Sequence, residues 1–231
     1  MKHSFVIACL LLSFQSYAQL LIAPTRIVID GSKTVTEQVI IENTGNEALR
    51  VEINSVYKPI ASNDVTRNNP NVQTIEDISS KVRLSPPVIR SLKPNQRRTI
   101  RIQIPAIPDS LPDGEYRTYL QFSPTTTVPS PKSSADKSAD SSIDIQFNVH
   151  TFIPLYQSKG TPIPKMEFDC NPSQLTIENQ GKFQFSAWIE SDVTDARKIV
   201  LLRESTIRLA KENGETLTIR QNDQRLFQCT K

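Results

Sequence analysis

Few side chains in this sequence could carry out a reaction, and they are poorly placed to act together. Two histidines occur, His3 and His150. His150 stands in the stretch SSIDIQFNVHTF, on the polar side of an alternating row, which reads as a solvated imidazole. Cys170 and Cys229 are too few for a zinc site built from C-x-x-C pairs. The acidic pair Glu76 and Asp77 falls in a loop region with no sign of a pocket. There is no G-x-S-x-G elbow, no phosphate loop, no dinucleotide fingerprint and no H-E-x-x-H pair, and the six glycines do not cluster. The residues therefore predict a protein that is not an enzyme and needs no metal or cofactor. Binding is the chemistry that remains. Ile143, Ile145, Phe147 and Val149 alternate with Asp144, Gln146, Asn148 and His150, so one face of a strand is apolar and the other polar. Such a row can be offered to another chain: strand addition at a sheet edge takes affinity from main-chain bonds and specificity from alternate side chains.

Residues 1–18, MKHSFVIACLLLSFQSYA, read as a secretory signal peptide, with Lys2, an apolar run over 5–14 and small residues Ser16 and Ala18 before the cut. The expected mature chain starts at Gln19 in an oxidising, exported compartment. No later stretch approaches the roughly 20 apolar residues of a membrane helix, so no membrane insertion is expected. Without Lys2, 26 basic residues stand against 24 acidic ones. That weak balance, spread along the chain, does not call for nucleic acid. Arg97, Arg98 and Arg101 form the nearest basic cluster; Arg97 and Arg101 share a strand face and read as solvated. Cys9 leaves with the signal. Cys170 and Cys229 are a possible disulfide, worth roughly 3–4 kcal/mol by loop closure, with two separate buried thiols as the alternative.

The row at 143–149 needs a scaffold, and the chain supplies strands. LLIAPTRIVID, TVTEQVIIEN, LRVEINSVY, KVRLS, RRTIRIQI and EYRTYLQF precede it as six short period-two runs, separated by turn residues such as NTGNE. Ile100, Ile102 and Ile104 share one face; Tyr116, Thr118, Leu120 and Phe122 share another. The stretch IEDISSKV is too short and wrongly spaced for a convincing helix. Seven strands point to an immunoglobulin-like sandwich, and LPDGEY places Tyr116 where such folds put a tyrosine corner. Residues 123–142 carry almost no apolar side chains and predict a long mobile loop that tethers the seventh strand. Pro and Gly in GTPIP mark a boundary near Gly160. Beyond it QLTIEN, KFQFSAWIE, KIVLLRE, STIRLA, TLTIR and RLFQC predict a second β unit of about 70 residues, small for a full sandwich.

Three motifs in order resemble the periplasmic chaperones of chaperone–usher pilus assembly. PTRIVIDG is similar to their first-strand signature, LSPPVIRSLKPNQRRTIRI to their Pro-Pro, Arg, Leu-x-Pro-x-Gln run, and LPDGEYRTYLQF to their sixth strand. The resemblance covers about 23–160. It implies an all-β protein of two immunoglobulin-like β-sandwich domains at an angle: an N-terminal chaperone domain over 19–159 with a long loop at 123–142, and a short second domain over 160–231. It implies a pilus or fimbrial subunit held in the cleft, donor-strand complementation of that subunit by strand 143–153, delivery to an outer-membrane usher, and a role in pilus assembly in the periplasm. The donor row would be Ile143, Ile145, Phe147 and Val149. Arg26 matches the strand-one arginine that anchors the subunit's C-terminal carboxylate. The second basic anchor is missing from HTFIPLY, and Lys159 and Arg117 are the candidates to replace it. Such a protein would be a monomer or a self-capping dimer. The rival reading is a structural or adhesive immunoglobulin-like secreted protein or fibre component, with the seventh strand in its own core.

Overall fold

The computed structural model describes residues 19–59, 65–68, 71–126 and 148–230. They form four sheets around two separate apolar cores, and the architecture is all-β.

The first core lies between two antiparallel-rich sheets. One has the order β1 (Leu20–Ala23), β3 (Val35–Asn43), β8 (Arg97–Ile104), β6 (Arg83–Ser85). The other has the order β2 (Ile27–Asp30), β10 (Thr151–Lys159), β9 (Gly114–Thr126), β4 (Leu49–Val56), β7 (Val88–Leu92). Alternation decides which side chains enter: Ile100, Ile102 and Ile104 from β8 meet Tyr116, Leu120 and Phe122 from β9, all buried. The Tyr116 hydroxyl donates back to the Pro112 carbonyl at 2.5 Å, which makes the tyrosine corner.

LLIAPTRIVID is two strands in different sheets, not one. Pro24 has no N–H for a ladder, so β1 stops at Ala23 and the chain crosses to the facing sheet before Ile27. Strand β2 then runs parallel to β10, pairing Ile27 with Leu155.

The seventh strand also differs from its expected span. Ile143, Ile145 and Phe147 lie outside the described residues. Val149 precedes the strand and is 71% exposed; the ladder to β9 begins at Thr151. The inward residues of β10 are Ile153 and Leu155, from a stretch whose alternation is blurred by Pro154.

The second core lies between the sheet β11 (Met166–Asn171), β12 (Gln174–Asn179), β15 (Ser205–Ala210), β5 (Val65–Arg67) and the sheet β14 (Arg197–Leu201), β13 (Phe185–Ser191), β16 (Leu217–Gln221), β17 (Gln224–Cys229). Its fourth edge strand comes from far upstream: β5 pairs Val65, Thr66 and Arg67 with Ile207, Thr206 and Ser205. The short C-terminal unit is thus completed by a strand borrowed from the N-terminal part of the chain. A short helix, α1 (Val72–Glu76), and a 3-10 turn at Ser79–Lys81 bring the chain back to the first sandwich.

Both sandwiches close one strand with the same device. In IENTG and IENQG, the buried Asn43 and Asn179 each accept from a glycine two residues on, Gly45 or Gly181, at 2.9 Å. Each also donates to two backbone carbonyls, Asn43 to Glu47 and Leu92, Asn179 to Phe183 and Leu202. One side chain thereby satisfies three main-chain groups that the turn would leave buried and unpaired.

Cys170 on β11 and Cys229 on β17 form a disulfide that joins the edges of the two facing sheets. Phe168 and Phe227 stack beside it with centroids 5.0 Å apart. The bridge spans a sequence separation of 59, for which loop closure gives about 4 kcal/mol. Replacing both cysteines by serine should lower the unfolding free energy by about 2–4 kcal/mol in urea titrations. An unchanged urea midpoint would show that the bridge does not support this unit.

Candidate functional site: the cleft between the two sandwiches

A buried ionic knot fixes one sandwich to the other. Glu76, at the end of α1, is 1% exposed at its side chain. Its Oε1 accepts from Arg67 Nη2 at 2.6 Å, Arg117 Nε at 2.7 Å and the Tyr57 hydroxyl at 2.6 Å. Arg117 Nη2 also donates to Tyr57 at 2.9 Å, and its guanidinium lies 4.7 Å from the Tyr57 ring centroid. Burial, followed by the bond to Glu76, pushes the Tyr57 phenol up to about 12, so it stays a donor. Arg67 belongs to β5 and its Nη1 donates to the Arg203 carbonyl of the second unit. The knot therefore links the outward face of β9, and Tyr57 just past β4, to the sheet that β5 completes.

Beside the knot, the two sandwiches enclose a cavity of about 290 Å³. Arg26, Glu115 and Ser158 line it from the first, and Gln184, Ser186 and Lys198 from the second. Arg26 is the last residue of the crossover between β1 and β2. Its Nη2 donates to Gln184 Oε1 at 3.0 Å and its guanidinium sits 4.6 Å above the Tyr156 ring. The contacts aim the guanidinium into the cavity and leave other N–H groups of its fork for a ligand. Lys198, on β14, stands on the opposite side. Two cations from different sandwiches thus share one concave site, a suitable setting for a carboxylate.

The same region holds an open strand edge. β9 covers one side of β10 from Thr151 to Lys159, whereas β2 covers the other side only from Leu155 to Ser158. Among the described residues, Thr151 to Pro154 have no strand on that second side. The uncovered edge begins where Arg26 stands.

No family model and no curated protein matches the sequence. Solved structures match the fold. The E. coli chaperone DraB superposes with a TM-score of 0.55 at 13% identity, covering 92% of this chain and 97% of its own. A chain of the Salmonella enterica SafA pilin–SafB chaperone complex gives 0.55 at 11% identity, covering 91% and 94%. The Pseudomonas aeruginosa chaperone CupB2 gives 0.53 at 16%, covering 91% and 99%. The fold is that of the pilus chaperones.

Within this pilus-chaperone fold, neither candidate for the second basic anchor is free. Arg117 is spent on Glu76, Tyr57 and Tyr119. Lys159 Nζ donates to the carbonyls of Pro108, Asp109 and Leu111 and holds that loop in place. Lys198 is the cation that shares the cavity with Arg26, and sequence reasoning missed it. No local signal could have found it, because β14 is brought to the cleft by the packing of the second unit. Glu115 was missed for a similar reason. It alternates with the inward-facing Tyr116 and so reads as a solvent-facing residue, yet the second sandwich covers it to 4% exposure. His150 is exposed and contacts Ser123 Oγ at 2.7 Å. Among the described residues no cluster could hold a metal ion, and no helix is long and apolar enough to cross a membrane.

Proposed function

We propose that this protein is a non-enzymatic periplasmic chaperone for pilus or fimbrial subunits. The observation that carries the reading is the half-covered strand β10, whose open edge starts beside Arg26 in a cationic cleft. A client's strand adds to that edge, and its C-terminal carboxylate is held by Arg26 from one side and Lys198 from the other. The apolar row read from the sequence, Ile143, Ile145, Phe147 and Val149, supplies the side chains that fill the client's groove. Residues 1–18 direct export, and the complex passes its client to an outer-membrane usher. The pilus-chaperone fold supports this reading, as does the solved complex of a like-folded chaperone with a pilin.

Affinity capture from the periplasm of the native host tests it. The mature protein should recover one small β-rich client in a 1:1 complex. Arg26→Ala removes a charge-assisted contact worth about 1.5–3 kcal/mol and should weaken that complex tenfold or more. An empty capture by the folded wild type, or an Arg26→Ala variant that binds equally well, would favour a structural or adhesive role instead.

A further inference from the structure

Glu115 is a buried acid in the wall of the cationic cleft, and carboxylate anchoring alone gives it no task. It is presented rigidly, because the second sandwich pins its backbone on both sides. Its N–H donates to the Lys182 carbonyl at 2.8 Å, and its carbonyl accepts from Arg203 Nη1 at 3.1 Å. Its side chain lines the same cavity as Arg26 and Lys198. Among the described residues no hydrogen-bond donor reaches its carboxyl oxygens, which leaves them for whatever enters.

We infer that Glu115 is the proton-linked gate of this cleft: as a neutral acid it donates a hydrogen bond to an incoming carboxylate, and as an anion it repels one. The inference rests on the reading of the cleft as a carboxylate site. The charges around Glu115 are Arg26 from the crossover before β2, Glu76 from α1, Arg117 from β9 itself, Arg203 from the turn before β15 and Lys198 across the cavity. Tyr156 of β10 also acts on this site, and burial pushes its phenol upward. Burial pushes the Glu115 carboxyl up to about 7, against the opposing pull of Arg26. The upward push on Tyr156 keeps the proton on its phenol near neutrality. Glu115 is thus a cleft group whose carboxyl burial carries to neutrality. His150 sits beyond the far end of β10 from Ser158 and is not part of the cavity lining.

The sign follows from linkage. A bound carboxylate favours protonated Glu115, so binding takes up a proton above pH 7 and affinity falls as pH rises through that value. Below about pH 6 the gate is already neutral and affinity is flat.

The test uses N-acetylglycine as the carboxylate and N-acetylglycinamide as its neutral control, titrated into the mature protein and followed by NMR. The probe's own carboxyl is ionised throughout the range used. The acid should bind about thirtyfold more tightly at pH 5.5 than at pH 8.5, the fall expected from one fully linked proton on a group near 7. Glu115→Gln should bind with no such dependence. A carbon-detected titration of the wild-type Glu115 carboxyl should move to higher pH when N-acetylglycine is present, which keeps the test decisive if Glu115→Gln fails to fold. Acid-specific binding that is flat with pH, or a dependence that survives in Glu115→Gln, overturns the gate and leaves the carboxylate site standing. Equal binding of acid and amide, or binding unaffected by Arg26→Ala, overturns the carboxylate site and the gate together.

Discussion

Replacing Ile145 and Phe147 by aspartate should abolish client capture and leave the protein folded. Both positions lie outside the described residues; the expectation rests on their neighbours. The ladder from β10 to β9 is complete over Thr151–Lys159, and Ile153 and Leu155 fill the core beneath it. The first sandwich therefore has its seventh strand without the row at 143–149. If that row serves a client's groove, its four apolar residues are worth roughly 6–12 kcal/mol gross, before ordering costs. Losing two of them removes about 3–6 kcal/mol, a hundredfold or more in affinity. Size-exclusion chromatography of the 1:1 complex reads the loss, and a circular-dichroism melt of the free variant reads the fold. A fall of many degrees in the melting temperature would place the row in the protein's own core and support the structural reading.

Glu76→Ala should cost about 3–5 kcal/mol and loosen one sandwich from the other. Burying charge is tolerable only when partners compensate, and here one carboxylate oxygen serves three donors. Without it, two guanidiniums with 7% and 3% side-chain exposure face each other with no anion between them. Arg67 already has a buried Nε with no partner, so it has little reserve. Because Arg67 carries β5 into the second unit, the damage should spread to the pairing of β5 with β15. Calorimetry should show one unfolding transition in the wild type and two in the variant. Glu76→Gln, which keeps an acceptor but not the charge, should fall between them. A single transition with an unchanged midpoint would mean that the knot contributes nothing to stability or coupling.

Wherever a side chain's fate depends on its immediate neighbours in the chain, the sequence was sufficient. The period-two rows in RRTIRIQI and EYRTYLQF name the inward residues of β8 and β9, because a pleated strand turns alternate side chains to opposite faces. Tyr116 after the turn Pro112–Gly114 foretells its corner, since the bond it makes closes within four residues. Arg26 could be singled out by its place in PTRIVIDG. NTGNE reads only as a turn, and its kinship with IENQG emerges once the burial and bonds of Asn43 and Asn179 are known.

Tertiary structure decided what lies across sequence distance. Which residues of LLIAPTRIVID belong to which sheet depends on the partners β3 and β10, which no local pattern identifies. β5 has three residues, too few to carry a period, and takes its meaning from β15 some 140 positions away. Glu76 reads as an exposed loop acid until Arg67, Arg117 and Tyr57 converge on it. Lys198 and Glu115 read as surface charges on separate strands, and become walls of one cavity only when the second sandwich packs against the first. Local pattern fixes which way a side chain points along its own strand; what it meets there is set by long-range packing, and Glu115 and Lys198 of this cleft are of that second kind.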